Sequence, residues 1–142
     1  MRIREGTVEE AVQLALRIPD FTDPYGLRSS EHPELPELEH VLIAEEDGEP
    51  VGFRAGYRFS DDTFAVWLAA VLPSHRRRGI ARALYLTQKD WLRARGYRFL
   101  RTHTRNSNRV MLKILVDHGY DVVDVVHDGA AERHKVVFRR RI

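Results

Sequence analysis

The chain has 142 residues, 43% hydrophobic and 31% charged, which is typical of one globular domain covering residues 1–142. Because it contains no cysteine, disulfides, thiolate zinc sites and cysteine nucleophiles are excluded. Residues 1–50 hold 13 acidic and 4 basic residues, whereas residues 51–142 hold 8 and 19. This asymmetry indicates either two surfaces with different partners or two solvated faces whose charges mostly cancel.

No segment of the sequence is typical of membrane insertion or export. The longest apolar run ends at Pro73 after nine residues, too few to cross a bilayer. Glu5, Glu9 and Glu10 lie where a signal peptide needs apolar residues. We therefore expect a cytoplasmic protein with no membrane partner.

The chain predicts one helix, a long loop and then alternating strands and helices. Thr7–Glu10 has the form of a capping box, and apolar residues follow at helical spacing until Pro19. Residues 20–40, rich in proline and acids, predict a loop with one short helix near Leu35–Leu38. Asp47-Gly48 predicts a hairpin turn.

The remaining elements follow from hydrophobic periodicity. The predicted strands are at Ile3, His40–Ala44, Val51–Phe59, Phe64–Val71, Phe99–His103, Asp121–Val126 and Lys135–Phe138. Two further helices cover Ile80–Trp91 and Val110–Leu115 and end at Gly96 and Gly119. This order predicts a mixed α/β (α+β) domain around one sheet.

Residues 71–82 join the predicted central strand to the long helix, where open α/β sheets usually bind ligands. Free N–H groups in the first helical turn attract anions, and Gly79 leaves space beside them. Four arginines surround that point: Arg76, Arg77, Arg78 and Arg82. The pattern predicts a phosphate site that is neither a Walker loop nor a dinucleotide fingerprint. The alternative is a solvated basic turn.

Two motifs resemble those of the GNAT superfamily of N-acetyltransferases. Val71–Pro73 followed by Arg76–Ala81 matches every specified position of its acetyl-CoA signature, V-x-P and then [Q/R]-x-x-G-x-[G/A]. Asn106–Leu112, running to Gly119-Tyr120, resembles its later N-x-x-x-M-L helix, and the Gly48 hairpin resembles its D-G-x-x-V-G strand pair. The resemblance covers essentially the whole chain. It implies a GNAT-like fold, with a central mixed, mostly antiparallel sheet flanked by helices.

The resemblance also implies roles for individual residues. Gly79–Arg82 would hold the CoA pyrophosphate, Val71 and Leu72 would offer backbone groups to the pantetheine arm, and Asn108 would lie near the thioester. Arg76–Arg78 are candidates for the 3′-phosphate. The implied cofactor-binding residues are Val71, Leu72, Arg76, Arg77, Arg78, Gly79, Ile80, Ala81, Arg82 and Asn108.

One position departs from the family pattern. Many members carry a tyrosine seven residues after the asparagine as general acid, and that position is Leu115 here. This departure favours a non-catalytic CoA-binding or sensory domain as the alternative function. General acid catalysis contributes roughly 10²–10⁴-fold, and a thiol is a good leaving group, so the loss need not abolish activity.

Candidates for acceptor chemistry are weaker. His103, near the end of its strand, is the candidate catalytic base because imidazole titrates near neutrality; the alternative is an ordinary strand histidine. Tyr57, Asp61 and Asp62 are candidates for the acceptor side, and carboxylates of the acidic segment 31–39 could attract a cationic amine. Alternatively, these are turn residues, a core tyrosine and a solvated loop. His32 and His40 lack metal-ligand spacing, so no metal is expected.

These observations favour an acyl-CoA-dependent N-acyltransferase that moves acetyl from acetyl-CoA to a primary amine by direct attack in a ternary complex. The acceptor is a small molecule or a peptide. The alternative is a non-catalytic CoA-binding or sensory domain. No nucleic-acid partner is expected, because the basic half lacks a recognisable binding motif. A homodimer is left open.

Overall fold

The computed structural model describes residues 1–19 and 37–142. The predicted helix near Leu35–Leu38 lies mostly outside the described residues, as do His32 and most of the acidic segment 31–39. The strands are β1 (Arg2–Glu5), β2 (His40–Glu46), β3 (Glu49–Arg58), β4 (Thr63–Val71), β5 (Phe99–Arg105), β6 (Asp121–Val126) and β7 (Lys135–Arg141). The α-helices are α1 (Val8–Leu16), α2 (Ile80–Ala94) and α3 (Arg109–Asp117), with short 3₁₀ turns at Pro73–His75 and Ala131–Arg133.

The strands form one sheet in the order β1-β2-β3-β4-β5-β7-β6. Neighbouring strands are antiparallel except β4 and β5, which are parallel because α2 connects them as a crossover. The predicted fold class, a mixed and mostly antiparallel sheet flanked by helices, is thereby confirmed.

Local sequence signals account for most element ends. Thr7 caps α1 as a capping box, in which its side chain accepts from the Glu10 N–H and the Glu10 carboxylate accepts from the Thr7 N–H. Asp47 and Gly48 both have positive φ, as a two-residue hairpin turn requires. Gly96 ends α2 with φ +85°.

β4 and β5 separate partway along their length. They pair only where Thr63–Ala65 lies beside Phe99–Arg101. Immediately beyond, the β3–β4 register shifts so that Ala55 faces Leu68 and Gly56 faces Val66, which leaves Trp67 as a bulge in β4. The two central strands therefore open a gap in the sheet, beginning beside Ala65.

The two faces of the sheet are covered unequally. Leu100 of β5 packs with Leu92 of α2, and Arg54 of β3 contacts both α2 and Tyr120 at the end of α3, so these helices share one face. α1 packs against β2 and β3 on the other face. None of the described helices packs against β5, β7 or β6 on the α1 side, although Val137 of β7 is buried there.

Candidate functional site: a basic loop beside the strand gap

The loop after β4 leads directly to an open helix start. Gly79 is the N-cap residue of α2, with φ +80°, and no side chain caps the helix. The N–H groups of Ile80, Ala81 and Arg82 in the first turn therefore have no intrahelical partners. A Cβ added to Gly79 would meet nothing within 4 Å, so the space in front of these donors is open. The first turn of α2 is built to accept an anion.

A cavity of about 200 Å³ lies at this helix start. Its lining includes eight residues: Val71, His75, Arg76, Arg77, Gly79, Ile80, Ala81 and Arg82. Arg76, Arg77 and Arg82 are exposed, as is Arg78, which contacts Glu46 at 3.4 Å and does not line the cavity. Arg77 itself has positive φ (+64°), which shapes the turn that brings the arginines around the cavity. The donors and charges fit a pyrophosphate.

Val71 and Leu72 differ in whether their backbone groups are available to a pantetheine arm. The Leu72 N–H donates to the Val51 carbonyl at 2.8 Å, and the Leu72 carbonyl accepts from the His75 N–H at 2.9 Å. Both backbone groups of Leu72 are thus engaged within the chain, so the prediction for Leu72 is corrected. Because N–H groups alternate in direction along a strand, those of Val71 and Ala69 face the gap. Ala69 is exposed within this otherwise buried strand, which its sequence did not indicate.

The Val71 carbonyl is occupied from within the loop. The Arg76 guanidinium donates its Nε–H to this carbonyl at 3.1 Å. The contact pins Arg76 back against the end of β4, beside the gap. Of the two Val71 backbone groups, the carbonyl is therefore occupied and the N–H remains directed toward the gap.

Asn108 lies at the start of α3 and acts as its N-cap. Its Oδ1 accepts from the Met111 N–H at 3.2 Å, and the residue is exposed. Leu115, at the position where the resemblance implies a tyrosine, is 9% exposed and packs inward. The apolar residues Val110, Met111 and Ile114 remain exposed on the same helix.

His103 is half-buried on β5 beyond the last residues that pair with β4, which places it at the gap. Its burial, together with the nearby cations Lys135, Arg105 and Arg101, lowers its pKa to about 4. The ring is therefore neutral at neutral pH. The expectation that it titrates near neutrality is wrong, because burial and, to a smaller extent, three cations oppose the imidazolium.

The other acceptor-side candidates have structural partners. The Asp62 carboxylate accepts from the Thr63 and Ser60 hydroxyls, at 2.8 and 3.1 Å, and these bonds lower its pKa. Asp61 contacts Arg58 at 3.6 Å on the surface. A second cavity, of about 450 Å³, is lined by Tyr57 and Arg58 together with three residues before β2: Glu37, Leu38 and Glu39.

A buried polar cluster on the α2 face went unpredicted. Arg54 donates its Nε–H to the Gln88 side chain at 2.6 Å, and the Gln88 amide lies 3.2 Å from His40 Nδ1. Arg54 also contacts Tyr120, whose pKa is raised mainly by burial. The sequence does contain a signal for this cluster: Arg54 lies within an apolar strand, and Gln88 lies among the apolar positions of the α2 helix. This cluster fixes α2 and the end of α3 against the sheet.

The Tyr85 ring lies beside this cluster, 5.4 Å from the Arg54 guanidinium. Its hydroxyl is buried and has no hydrogen-bond partner among the described residues. A polar atom without a partner on this face is compatible with a ligand that reaches it.

In residues 1–19 and 37–142, no helix is long and apolar enough to cross a membrane. The same residues contain no group of three or more histidine or acidic side chains arranged to hold a metal ion.

A family model described as acetyltransferase (GNAT) matches residues 9–120, most of the chain. The chain therefore belongs to the GNAT acetyltransferase family. A search of curated proteins found no match.

Solved structures with the same fold cover nearly the whole chain. Ard1 from Thermoplasma volcanium has a TM-score of 0.78 at 22% identity, with 99% of this chain and 97% of that chain covered. The ribosomal-protein-S18-alanine N-acetyltransferase from Escherichia coli has a TM-score of 0.76 at 18% identity, covering 99% and 93%. A GNAT family acetyltransferase from Elizabethkingia anophelis, solved with acetyl-CoA bound, has a TM-score of 0.71 at 17% identity, covering 99% and 97%.

Proposed function

We propose that this protein is an acetyl-CoA-dependent N-acetyltransferase that acts on a primary amine. The observation that carries the proposal is the uncapped first turn of α2 behind Gly79, ringed by arginines and set beside the gap between β4 and β5. Family membership and the acetyl-CoA bound to the Elizabethkingia anophelis relative support the choice of co-substrate.

Residues of the loop and of β4 bind different parts of acetyl-CoA. The N–H groups of Ile80, Ala81 and Arg82 hold the pyrophosphate, with Arg76, Arg77 and Arg82 balancing its charge. The Val71 and Ala69 N–H groups align the pantetheine arm as an added strand would. Acetyl-CoA supplies the activated acetyl group. These contacts orient its carbonyl at the gap, where the acceptor amine attacks it.

Direct transfer needs a neutral amine. The amine nitrogen bonds to the acetyl carbon as the carbon–sulfur bond breaks, the ammonium proton leaves, and the thiolate takes up a proton. His103 is a poor proton acceptor, because transfer from an α-ammonium of pKa about 8 to a group of pKa about 4 is unfavourable by roughly 10⁴-fold. We therefore propose that the amine enters in its neutral form, which exchange with solvent maintains at about a tenth of an α-amine at pH 7, and that His103 is a neutral hydrogen-bonding group at the gap.

One observation favours a second candidate function. Leu115 is buried where the family implies a proton donor, which is compatible with a domain that binds CoA without turnover. The two candidates share the binding loop and differ only in whether the thioester is consumed.

A thiol-release assay separates them. Purified protein with acetyl-CoA is offered polyamines, free amino acids, aminoglycosides and peptides with free amino termini. Amine-dependent release of CoA thiol, matched by acetylated product, supports the transferase. Thermal stabilisation by acetyl-CoA without release from any acceptor supports the binding domain.

A further inference from the structure

The sheet face that α2 and α3 share carries a cationic side chain beside the proposed path of the pantetheine arm. Arg54 of β3 is the register partner of Ala69 of β4, and directly opposed residues in neighbouring strands point to the same face. The hydrogen bond from Arg54 to Gln88 of α2 identifies that face. Ala69 is nevertheless exposed, so neither helix fills the space above it.

Arg54 extends toward the closed end of the gap, where β4 and β5 cease to pair. Its guanidinium contacts Tyr120, which follows α3 on the other side of the gap, and lies 5.4 Å from the centre of the Tyr85 ring on α2. Tyr85 packs against the buried cluster that contains Val66 of β4 and Leu100 of β5. The contact between Arg54 and Tyr120 therefore joins the two halves of the sheet across this end of the gap.

The positive charge of Arg54 has no carboxylate partner among the described residues. Its register partners, Leu42 and Ala69, are apolar. The groups that interact electrostatically with it are two tyrosines, Tyr85 and Tyr120, and not acidic side chains. Burial lowers the pKa of this half-buried guanidinium, because no anion offsets the cost of removing its charge from water. An anion that enters the gap would supply the missing partner.

Two further cations lie beside the same tyrosines. The Lys89 ammonium is 5.9 Å from the centre of the Tyr85 ring, and the Arg140 guanidinium is 5.9 Å from the centre of the Tyr120 ring. Both add positive potential to the charge of Arg54, which favours an anion at the closed end of the gap.

We propose that Arg54 stabilises the thiolate that leaves acetyl-CoA, with Tyr120 holding the guanidinium in position. This inference rests on the proposed acetyl transfer. An arm that follows β4 from Val71 past Ala69 directs its sulfur toward the closed end of the gap. As the amine nitrogen bonds to the acetyl carbon, the carbon–sulfur bond breaks and its electron pair stays on sulfur, where Arg54 balances the charge. The amine loses one proton to solvent, and the sulfur takes one up from solvent.

A cation at this position compensates for the lack of a proton donor on the inward side of α3. Leu115 is the buried residue of that helix, and its side chain cannot give a proton to the sulfur. An opposite charge within about 4–6 Å lowers the pKa of an acid by about 1–3 units, so a thiolate beside Arg54 leaves more readily without being protonated.

The test measures the thiol pKa of CoA bound to the protein. Carbon-13 beside the sulfur of labelled CoA reports the ionisation of the thiol by its chemical shift, with the protein in excess. The chain has no cysteine, so CoA forms no mixed disulfide with it. Arg54→Gln removes the charge, Arg54→Lys keeps it, and Tyr120→Phe removes the hydroxyl that positions it. Arg93→Gln, which removes an exposed charge in the last turn of α2, is the matched control.

We expect the thiol bound to wild type to titrate about 1–2 pKa units below free CoA, because a hydrogen bond to a charged group stabilises an anion to about that extent. Arg54→Gln should return the thiol to within about half a unit of free CoA and lower kcat by roughly tenfold, with KM for acetyl-CoA within about threefold. Arg54→Lys should keep roughly half of the effect, Tyr120→Phe should lose part of it, and Arg93→Gln should match wild type.

The possible results separate this inference from the proposed function. A bound thiol that titrates as free CoA does would overturn the thiolate site even if Arg54→Gln fails to fold. A lowered pKa that Arg54→Gln leaves unchanged would also overturn it, and acetylation of an amine by the same protein would leave the proposed function standing. A lowered pKa that depends on Arg54, without acetylation of any amine, would refute the transfer and keep the thiolate site. Failure to bind CoA would refute both.

Discussion

Gly79→Glu is the sharpest perturbation of the proposed cofactor loop. The new side chain projects into space that the protein leaves empty, so its cost to folding is mainly the left-handed backbone conformation, about 1 kcal/mol. Gly96 has φ +85° and equally open surroundings at the other end of α2, so Gly96→Glu carries the same backbone strain away from the loop. The two variants should therefore lose similar stability without ligand.

Their responses to acetyl-CoA should differ. At a ligand concentration of 100 Kd, binding stabilises the native state by about 2.7 kcal/mol. With an unfolding entropy of about 0.3 kcal/mol/K for 142 residues, the melting temperature rises by roughly 9 °C. A carboxylate about 6 Å from a doubly charged pyrophosphate, at an effective dielectric constant of about 40, costs roughly 2.8 kcal/mol, or about a hundredfold in affinity. At the same acetyl-CoA concentration, the shift of Gly79→Glu then shrinks to about 1–2 °C.

Differential scanning fluorimetry over a range of acetyl-CoA concentrations measures both effects. We expect Gly96→Glu to keep the full ligand-induced shift from its lowered starting temperature. A Gly79→Glu variant that responds to acetyl-CoA as the wild type does would refute the assignment of the loop. Equal loss of response in both variants would instead indicate a general effect of strain in α2.

Three further predictions concern single side chains. Burial and neighbouring cations keep His103 unprotonated in the native state down to pH about 4, whereas in the unfolded chain it binds a proton below about pH 6.5. The free energy of unfolding should therefore fall as the pH is lowered from about 6.5 to about 4. The loss is at most roughly 3 kcal/mol, and chemical denaturation of His103→Gln across this range should show a flatter dependence than that of the exposed control His118→Gln. Leu115→Tyr should change kcat, measured by discontinuous assay of thiol release, by less than about tenfold, which corresponds to about 1.4 kcal/mol in activation free energy. Asn108→Ala should remove the α3 cap and lower the free energy of unfolding by about 1 kcal/mol, which lowers the melting temperature by roughly 3 °C. Asn108→Asp should keep the cap but weaken acetyl-CoA binding, because it places a negative charge near the cofactor.

Each of these predictions has an outcome that contradicts it. An unchanged pH dependence in His103→Gln would mean that this histidine is not shielded from protonation. A gain of a hundredfold or more in Leu115→Tyr would identify the wild type as a defective catalyst and favour the binding-domain alternative. Wild-type affinity for acetyl-CoA in Asn108→Asp would place Asn108 away from the cofactor.

The sequence was sufficient for most of the fold because its local signals agree with one another. The capping box at Thr7, the Asp47-Gly48 turn and the glycines after α2 and α3 mark element ends by backbone chemistry alone. The order of the strands and helices is then compatible with only a few sheet topologies. The open helix start at Gly79 was likewise predictable, because a glycine and clustered arginines after a buried strand form a local pattern.

Features that depend on contacts between distant segments were not predictable. The pKa of His103 depends on Lys135, which lies 32 positions further along the chain and reaches it only through the β5–β7 pairing. Leu72 was expected to serve a ligand, but its N–H pairs with Val51 on the neighbouring strand.

The central claim is that the loop behind Gly79 binds acetyl-CoA for transfer to an amine. Its most direct test is a single reaction monitored by mass spectrometry and by release of CoA thiol. It is run in parallel with wild-type protein and the Gly79→Glu and Gly96→Glu variants, on the amine that gives the fastest thiol release in the acceptor screen. We expect wild type and Gly96→Glu to form a product heavier by one acetyl group, with an equal amount of CoA thiol. At acetyl-CoA concentrations below the wild-type Kd, Gly79→Glu should form both roughly a hundredfold more slowly. Acetylation by Gly79→Glu at the wild-type rate would contradict the claim.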